Sequence, residues 1–179
     1  MSKIGRKPIE LSNTQIEIKG QVISFKGKNS SGTYTLPDFL KAESDGKQLK
    51  LVLLKERDNK KFWGLHRALL FNKLKGASEL FVKKLIITGL GFKAELLGGS
   101  KIKLSLGYSH KIEVDLPKNV SLEIDKTGQN LVFKSYDKEV LGQICADIRS
   151  LRPPEPYKGT GIKLENETTI RKAGKTKAA

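Results

Sequence analysis

Along this chain apolar and polar residues alternate over short distances far more often than they recur at helical spacing. Residues 15–19, 21–26, 32–36, 48–54, 85–88, 101–106, 111–116, 121–124 and 130–134 read as strands, and the turn-forming residues between them predict antiparallel sheet. Two stretches carry a helical period instead. The first starts near Asn59 and offers Phe62, Leu65 and Leu69, then Leu70 and Leu74, as its apolar face. The second starts near Asp137 and offers Val140, Leu141, Ile144, Ile148 and Leu151. Asn59 and Asp137 are the expected N-caps, because a short polar side chain can accept from the free backbone N–H groups of a first turn.

The helices repeat one unit. At an offset of 78 residues, Leu53 and Leu54 fall on Leu131 and Val132, Asn59 and Lys60 on Asp137 and Lys138, Gly64 on Gly142, Ala68 on Ala146, and Leu70 on Ile148. This predicts an α+β fold of two tandem similar small domains, each an antiparallel sheet with one helix on one face. Residues 1–81 form the first, with a basic amino-terminal arm. Residues 82–179 form the second, with a Pro/Gly arm and an extended basic carboxy-terminal tail. Residues 165–179 lack a sustained apolar pattern and are expected to order only against a partner.

Composition narrows the function. A chain of 179 residues with 37% hydrophobic content can bury a core. It has no apolar run long enough to predict a membrane span, and its charged start has no apolar stretch behind it to predict a secretory or transit signal. Cys145 is the only cysteine, so an internal disulfide and a multi-thiolate zinc site are excluded, and its helical position predicts burial. The net charge of +15 favours a polyanionic partner, nucleic acid above all. That charge is uneven: residues 1–84 hold 18 basic against 8 acidic residues, residues 85–151 hold 9 against 8, and residues 152–179 hold 7 against 3. Contact is therefore expected through a basic face of the first half and through the carboxy-terminal arm.

The candidate chemistry agrees with a binder. In Arg152-Pro153-Pro154-Glu155-Pro156-Tyr157-Lys158-Gly159-Thr160-Gly161, three prolines exclude helix, Arg152 and Lys158 suit phosphates, and Tyr157 offers a flat face to a base or sugar. Gly159 and Gly161 would allow the chain to approach a surface closely. Gly89-Leu90-Gly91-Phe92-Lys93-Ala94 matches a dinucleotide fingerprint, but Gly98 and Gly99 follow where a full helix is required. The same segment suggests an alternative, a peptide-binding adaptor that uses exposed sheet edges. A bulge or bend between strands needs only the glycines and is the default reading of this segment. His66 and Arg67 either face phosphate or form an ordinary helix-surface pair, and His110 lies in a polar turn. No nucleophile, base or metal-spaced cluster emerges, so neither an enzyme nor a cofactor is expected.

Several stretches resemble the bacterial-type sixth protein of the large ribosomal subunit. Ser2-Lys3-Ile4-Gly5-Arg6-Lys7-Pro8-Ile9 is similar to that family's start, and Leu104-Ser105-Leu106-Gly107-Tyr108-Ser109-His110 to its mid-chain signature. The segment from Ile148 to Ile162 resembles its carboxy-terminal motif at nearly every position, except that Thr160 stands where the family usually has lysine. The resemblance implies a structural protein on cytoplasmic ribosomes of bacterial type, or on organellar ones, bound to large-subunit ribosomal RNA. It also implies neighbouring ribosomal proteins and a location near the sarcin-ricin region, where translational GTPases dock. It implies no membrane and no small-molecule substrate. Ser2, Lys3, Arg6 and Lys7 then join His66 and Arg67 as expected RNA contacts. Arg149, Arg152, Pro153, Pro154, Tyr157, Lys158, Gly159 and Gly161 form the arm contact. Arg171, Lys172, Lys175 and Lys177 form the tail contact.

Overall fold

The computed structural model describes residues 2–11, 14–54 and 60–174. The chain divides into two compact units, Met1–Leu80 with Tyr136–Lys138, and Phe81–Ser135 with Glu139–Ala179. In the first, a short helix α1 (Lys3–Arg6) precedes β1 (Ile9–Glu10), β2 (Gln15–Lys19), β3 (Val22–Lys26), β4 (Ser31–Thr35), β5 (Leu40–Ser44) and β6 (Gln48–Leu53), followed by α2 (Lys60–Ser78). The strands form two antiparallel sheets, β2-β3-β4 and β1-β6-β5. Alternation sends Ile23 and Phe25 of β3, and Leu49 and Leu51 of β6, into one core with Leu70, Leu74 and Ala77 of α2.

The second unit repeats this order with β7 (Phe81–Thr88), β8 (Lys93–Leu97), β9 (Lys101–Ser105), β10 (Ile112–Asp115), β11 (Val120–Ile124), β12 (Asn130–Ser135) and α3 (Lys138–Leu151). Its sheets are β8-β9-β10 and β11-β12-β7, the second extended by β13 (Gly161–Leu164) along the far side of β7. Leu85, Leu131 and Phe133 pack with Leu141, Ile144, Cys145 and Ile148 of α3. The duplication therefore covers six strands and a helix. Two tight turns mark it: Leu40 N–H donates to Pro37 O, as Val120 N–H does to Pro117 O.

The structure corrects the strand register of the repeat. Leu49 and Leu51 occupy the pairing positions of Leu131 and Phe133, an offset of 82, so Leu53 and Leu54 do not correspond to Leu131 and Val132. The helices do keep the offset of 78, since Leu70 and Ile148 are both fully buried. The connection before α2 is longer than that before α3, and one offset cannot serve both elements. Asn59 lies outside the described residues, whereas α3 begins directly after Asp137.

A second correction concerns α2. Phe62, Leu65 and Leu69 were the expected core face, yet they are 40%, 49% and 36% exposed. The buried row runs through Arg67, Leu70, Leu74 and Ala77, with Trp63 packed beside it. This helix has apolar residues on two sides, so periodicity alone admits two phases. Polar anchors select one: Trp63 Nε1 donates to Leu51 O at 2.9 Å, and Arg67 donates to the carbonyls of Lys7 and Pro8 at 3.1 Å. For α3 the expected face is the buried one, because its apolar residues lie on one side only.

The tail also departs from expectation over its described part. Glu165 N–H donates to Lys84 O, Glu167 accepts from Arg149, and Lys172 N–H donates to Pro156 O at 2.9 Å. Glu165, Glu167 and Lys172 are thus tied to their own unit, while Ile170 between them stays 82% exposed. No described helix is long and apolar enough to cross a membrane.

Candidate nucleic-acid interface

The arm between α3 and β13 is a closed loop. Ile162 N–H donates to Arg152 O at 2.8 Å, Glu155 N–H to Thr160 O at 2.9 Å, and Gly159 N–H to Glu155 O at 3.0 Å. The close approach that Gly161 permits is internal: a Cβ there would stand 2.5 Å from Pro153 O, at a φ of +139°. Gly159 is buried and Pro154 half-buried, while Pro153, Tyr157 and Lys158 are exposed, Tyr157 by 55%. The glycines and prolines shape the loop, and its tip presents an aromatic ring next to a cation. Thr160 Oγ1 donates to Glu155 Oε2 at 3.1 Å, so the residue in the lysine position closes the loop instead of reaching outward.

The root of the loop rests on Tyr108. The Tyr108 hydroxyl donates to Leu151 O at 2.9 Å, and the Arg152 guanidinium lies 5.1 Å from the centre of the Tyr108 ring. His110 lies nearly parallel to that ring, 26° between planes and 6.5 Å between centroids. Tyr108 and His110 were not among the expected contacts. Their signal was an aromatic and a histidine interleaved with Lys111, a pattern that nucleic-acid surfaces share with polar turns.

Arg149 and Arg67 are committed within the fold. Nε and Nη2 of Arg149 both donate to the Glu167 carboxylate, and this pairing holds the Glu167 pKa below the ordinary carboxylate range. Arg67 is buried and holds the amino-terminal segment. His66 Nδ1 stands 2.7 Å from the Tyr34 hydroxyl. Burial lowers the His66 pKa and raises that of Tyr34, so the neutral forms of imidazole and phenol share this hydrogen bond.

At the amino terminus, Ser2 Oγ accepts from Gly5 N–H at 3.2 Å and caps α1. A Cβ at Gly5 would lie 2.5 Å from Trp63 Cδ2, so only glycine lets α1 dock on that indole. Lys3, Arg6 and Lys7 are left exposed on the docked segment. Arg6 lines an open cleft of about 320 Å³ with Lys50, Lys60, Val52 and Trp63. Arg171 and Lys172 are exposed, and Lys175 and Lys177 lie outside the described residues. Among the described residues no group of His, Cys, Asp or Glu side chains could hold a metal ion. Burial pushes the Cys145 thiol up to about 11, where it stays protonated and unreactive at neutral pH.

The strand leading into Gly89 has both edges filled, by β12 and β13, so the peptide-adaptor geometry has no free edge on β7. What fold and surface define together is a basic α+β protein of contact, with its cations on a shaped loop and a docked amino terminus rather than in a reaction cleft. Residues 88–165 match the family model described as Ribosomal protein L6. Large ribosomal subunit protein uL6 of Magnetococcus marinus is 39% identical over 99% of this chain and 100% of the relative. That of Crocosphaera subtropica is 40% identical, and uL6c of Thalassiosira pseudonana 42% identical, each over 98% of both chains. The chain belongs to the uL6 family of ribosomal proteins, a structural and not an enzymatic family.

Proposed function

We propose that this protein is a structural constituent of the large ribosomal subunit that binds the subunit's ribosomal RNA. The observation that carries the reading is the closed loop from Arg152 to Ile162, which is ordered by its own hydrogen bonds and exposes Tyr157 beside Lys158. A pre-shaped loop loses little conformational freedom when a partner arrives. RNA helices hide base edges in a deep groove, so contact falls on phosphates and sugars, with Tyr157 available for an unstacked base. Arg152, held over Tyr108, is the second cation of this contact. Lys3, Arg6 and Lys7 supply another on the first unit, and Arg171 and Lys172 extend the loop contact. Neighbouring ribosomal proteins complete the surroundings, and family resemblance supports a position near the region where translational GTPases dock.

The test is binding of the purified chain to large-subunit ribosomal RNA across a salt series. If roughly 8 phosphates are neutralised, a slope of about −0.9 per contact weakens binding about 10⁴-fold over a fourfold rise in salt. Affinity that ignores salt, or failure to cofractionate with large subunits on sucrose gradients, refutes the reading.

A further inference from the structure

The face of α2 that turns away from its core is apolar. Leu65 is 49% exposed, Phe62 40% and Leu69 36%, and Phe62 meets the Phe39 ring with centroids 6.3 Å apart. Beside them Phe39 packs edge-on to His66, which is tied to Tyr34, so the patch has a rigid aromatic margin. The pattern Phe62, Leu65, Leu69 is the i, i+3, i+7 ridge by which one helix packs on another. Scattered exposed apolar residues are ordinary, but Phe62, Leu65 and Leu69 on one helical face with an aromatic border form a patch.

The charge that α2 itself places along that ridge is one-sided, although exposed Asp38 precedes Phe39 at the margin. The i, i+4 row reads Lys61, Leu65, Leu69, Lys73, so a lysine stands at each end, and α2 has no acidic residue in its 19 positions. We infer that this ridge docks an amphipathic helix of a protein partner whose apolar face is bordered by Asp and Glu. A second copy of the chain fits poorly, because antiparallel pairing of two such ridges sets lysine against lysine. RNA fits poorly too, since leucine side chains neither stack on bases nor donate to phosphates. The inference is independent of the RNA contact on the second unit.

The probe is a synthetic helix of roughly 18 residues, long enough to be partly helical alone, with leucine on one face and glutamate flanking it. The full chain should bind it saturably, and a lysine-for-glutamate version of the peptide should not bind. Leu65→Ser should weaken binding at least about tenfold, as for a central interface anchor, while leaving the thermal midpoint and ribosomal-RNA affinity unchanged. Equal binding of both peptides, or unchanged binding by Leu65→Ser, overturns the inference. So does dimerisation or uptake on anionic vesicles that is lost with Leu65→Ser. A photo-crosslinking residue at position 65, in assembled subunits, should yield a protein adduct, and an RNA adduct overturns the inference as well.

Discussion

Gly5 shows how one residue without a side chain sets the position of several charged ones. Its Cα hydrogen faces the Trp63 indole, and α1, with Lys3 and Arg6, lies where that contact allows. Gly5→Ala drives a methyl group into the ring and should cost about 1–3 kcal/mol of stability, read by thermal or denaturant unfolding. His66 gives a pH-dependent counterpart. Its folded pKa is lowered by burial, so an unfolded chain takes up the proton first as the medium is acidified. Stability contributed by the neutral ring is present above the unfolded value of about 6.5 and is lost as pH falls from there through the folded pKa. The thermal midpoint of the wild type should therefore drop more between about pH 7.5 and pH 5.5 than that of His66→Gln. At the loop, Tyr157→Ala should weaken RNA binding about equally at all salt concentrations, by roughly 1–3 kcal/mol. Lys158→Ala should instead flatten the salt dependence by about one contact.

At the scale of elements, α3 was legible and α2 only half so. Leu141, Ile144 and Ile148 lie on a single apolar side, and the sequence pattern had one solution. On α2 the pattern had two, and the choice rests on Arg67 reaching the carbonyls of Lys7 and Pro8, a contact across about sixty positions that no local rule contains. Leu141→Ala should cost about 2–5 kcal/mol through the cavity it leaves, whereas Leu65→Ala should leave the midpoint almost unchanged. The strands that escaped the sequence reading have physical reasons. β1 has two residues, β5 carries Lys41, Glu43 and Ser44 in a five-residue strand, β8 is a five-residue strand set between the glycine turns at Gly89–Gly91 and Gly98, and β13 starts on a glycine. Each forms because a neighbouring strand offers an unpaired edge, which is a property of the tertiary fold. In the loop, Pro, Gly, Tyr and Lys announced a recognition element, but the glycines' partner proved to be the chain itself.

For the whole molecule, charge was the most readable property and its allocation the least. Of the arginines expected to face phosphate, Arg67 and Arg149 are committed to backbone carbonyls and to Glu167, because a guanidinium can join distant segments as readily as it can meet RNA. The tail illustrates the same division. Removing residues 165–179 deletes Glu167 and the contacts of Glu165 and Lys172, so the truncated chain should lose stability as well as RNA affinity. Calorimetry beside a filter-binding assay separates the two, and an unchanged midpoint would show that the Arg149 pairing contributes nothing to the fold.

The place of β13 in its sheet bears on how the protein is made. Residues 161–164 hydrogen-bond to residues 85–88, so β7 leaves the ribosome first among the described strands of the second unit and its edge partner last among them. The first unit's sheets, by contrast, are assembled from residues no later than Leu53, and its long helix ends at Ser78. During synthesis the first half can begin folding early, while the second leaves one side of β7 without β13 until residues 161–164 have emerged. Pairing over such a separation is slow relative to local hairpins. The loop at 152–162 therefore closes only once residues 161–164 are available to pair, so its shape depends on a segment made well after β7.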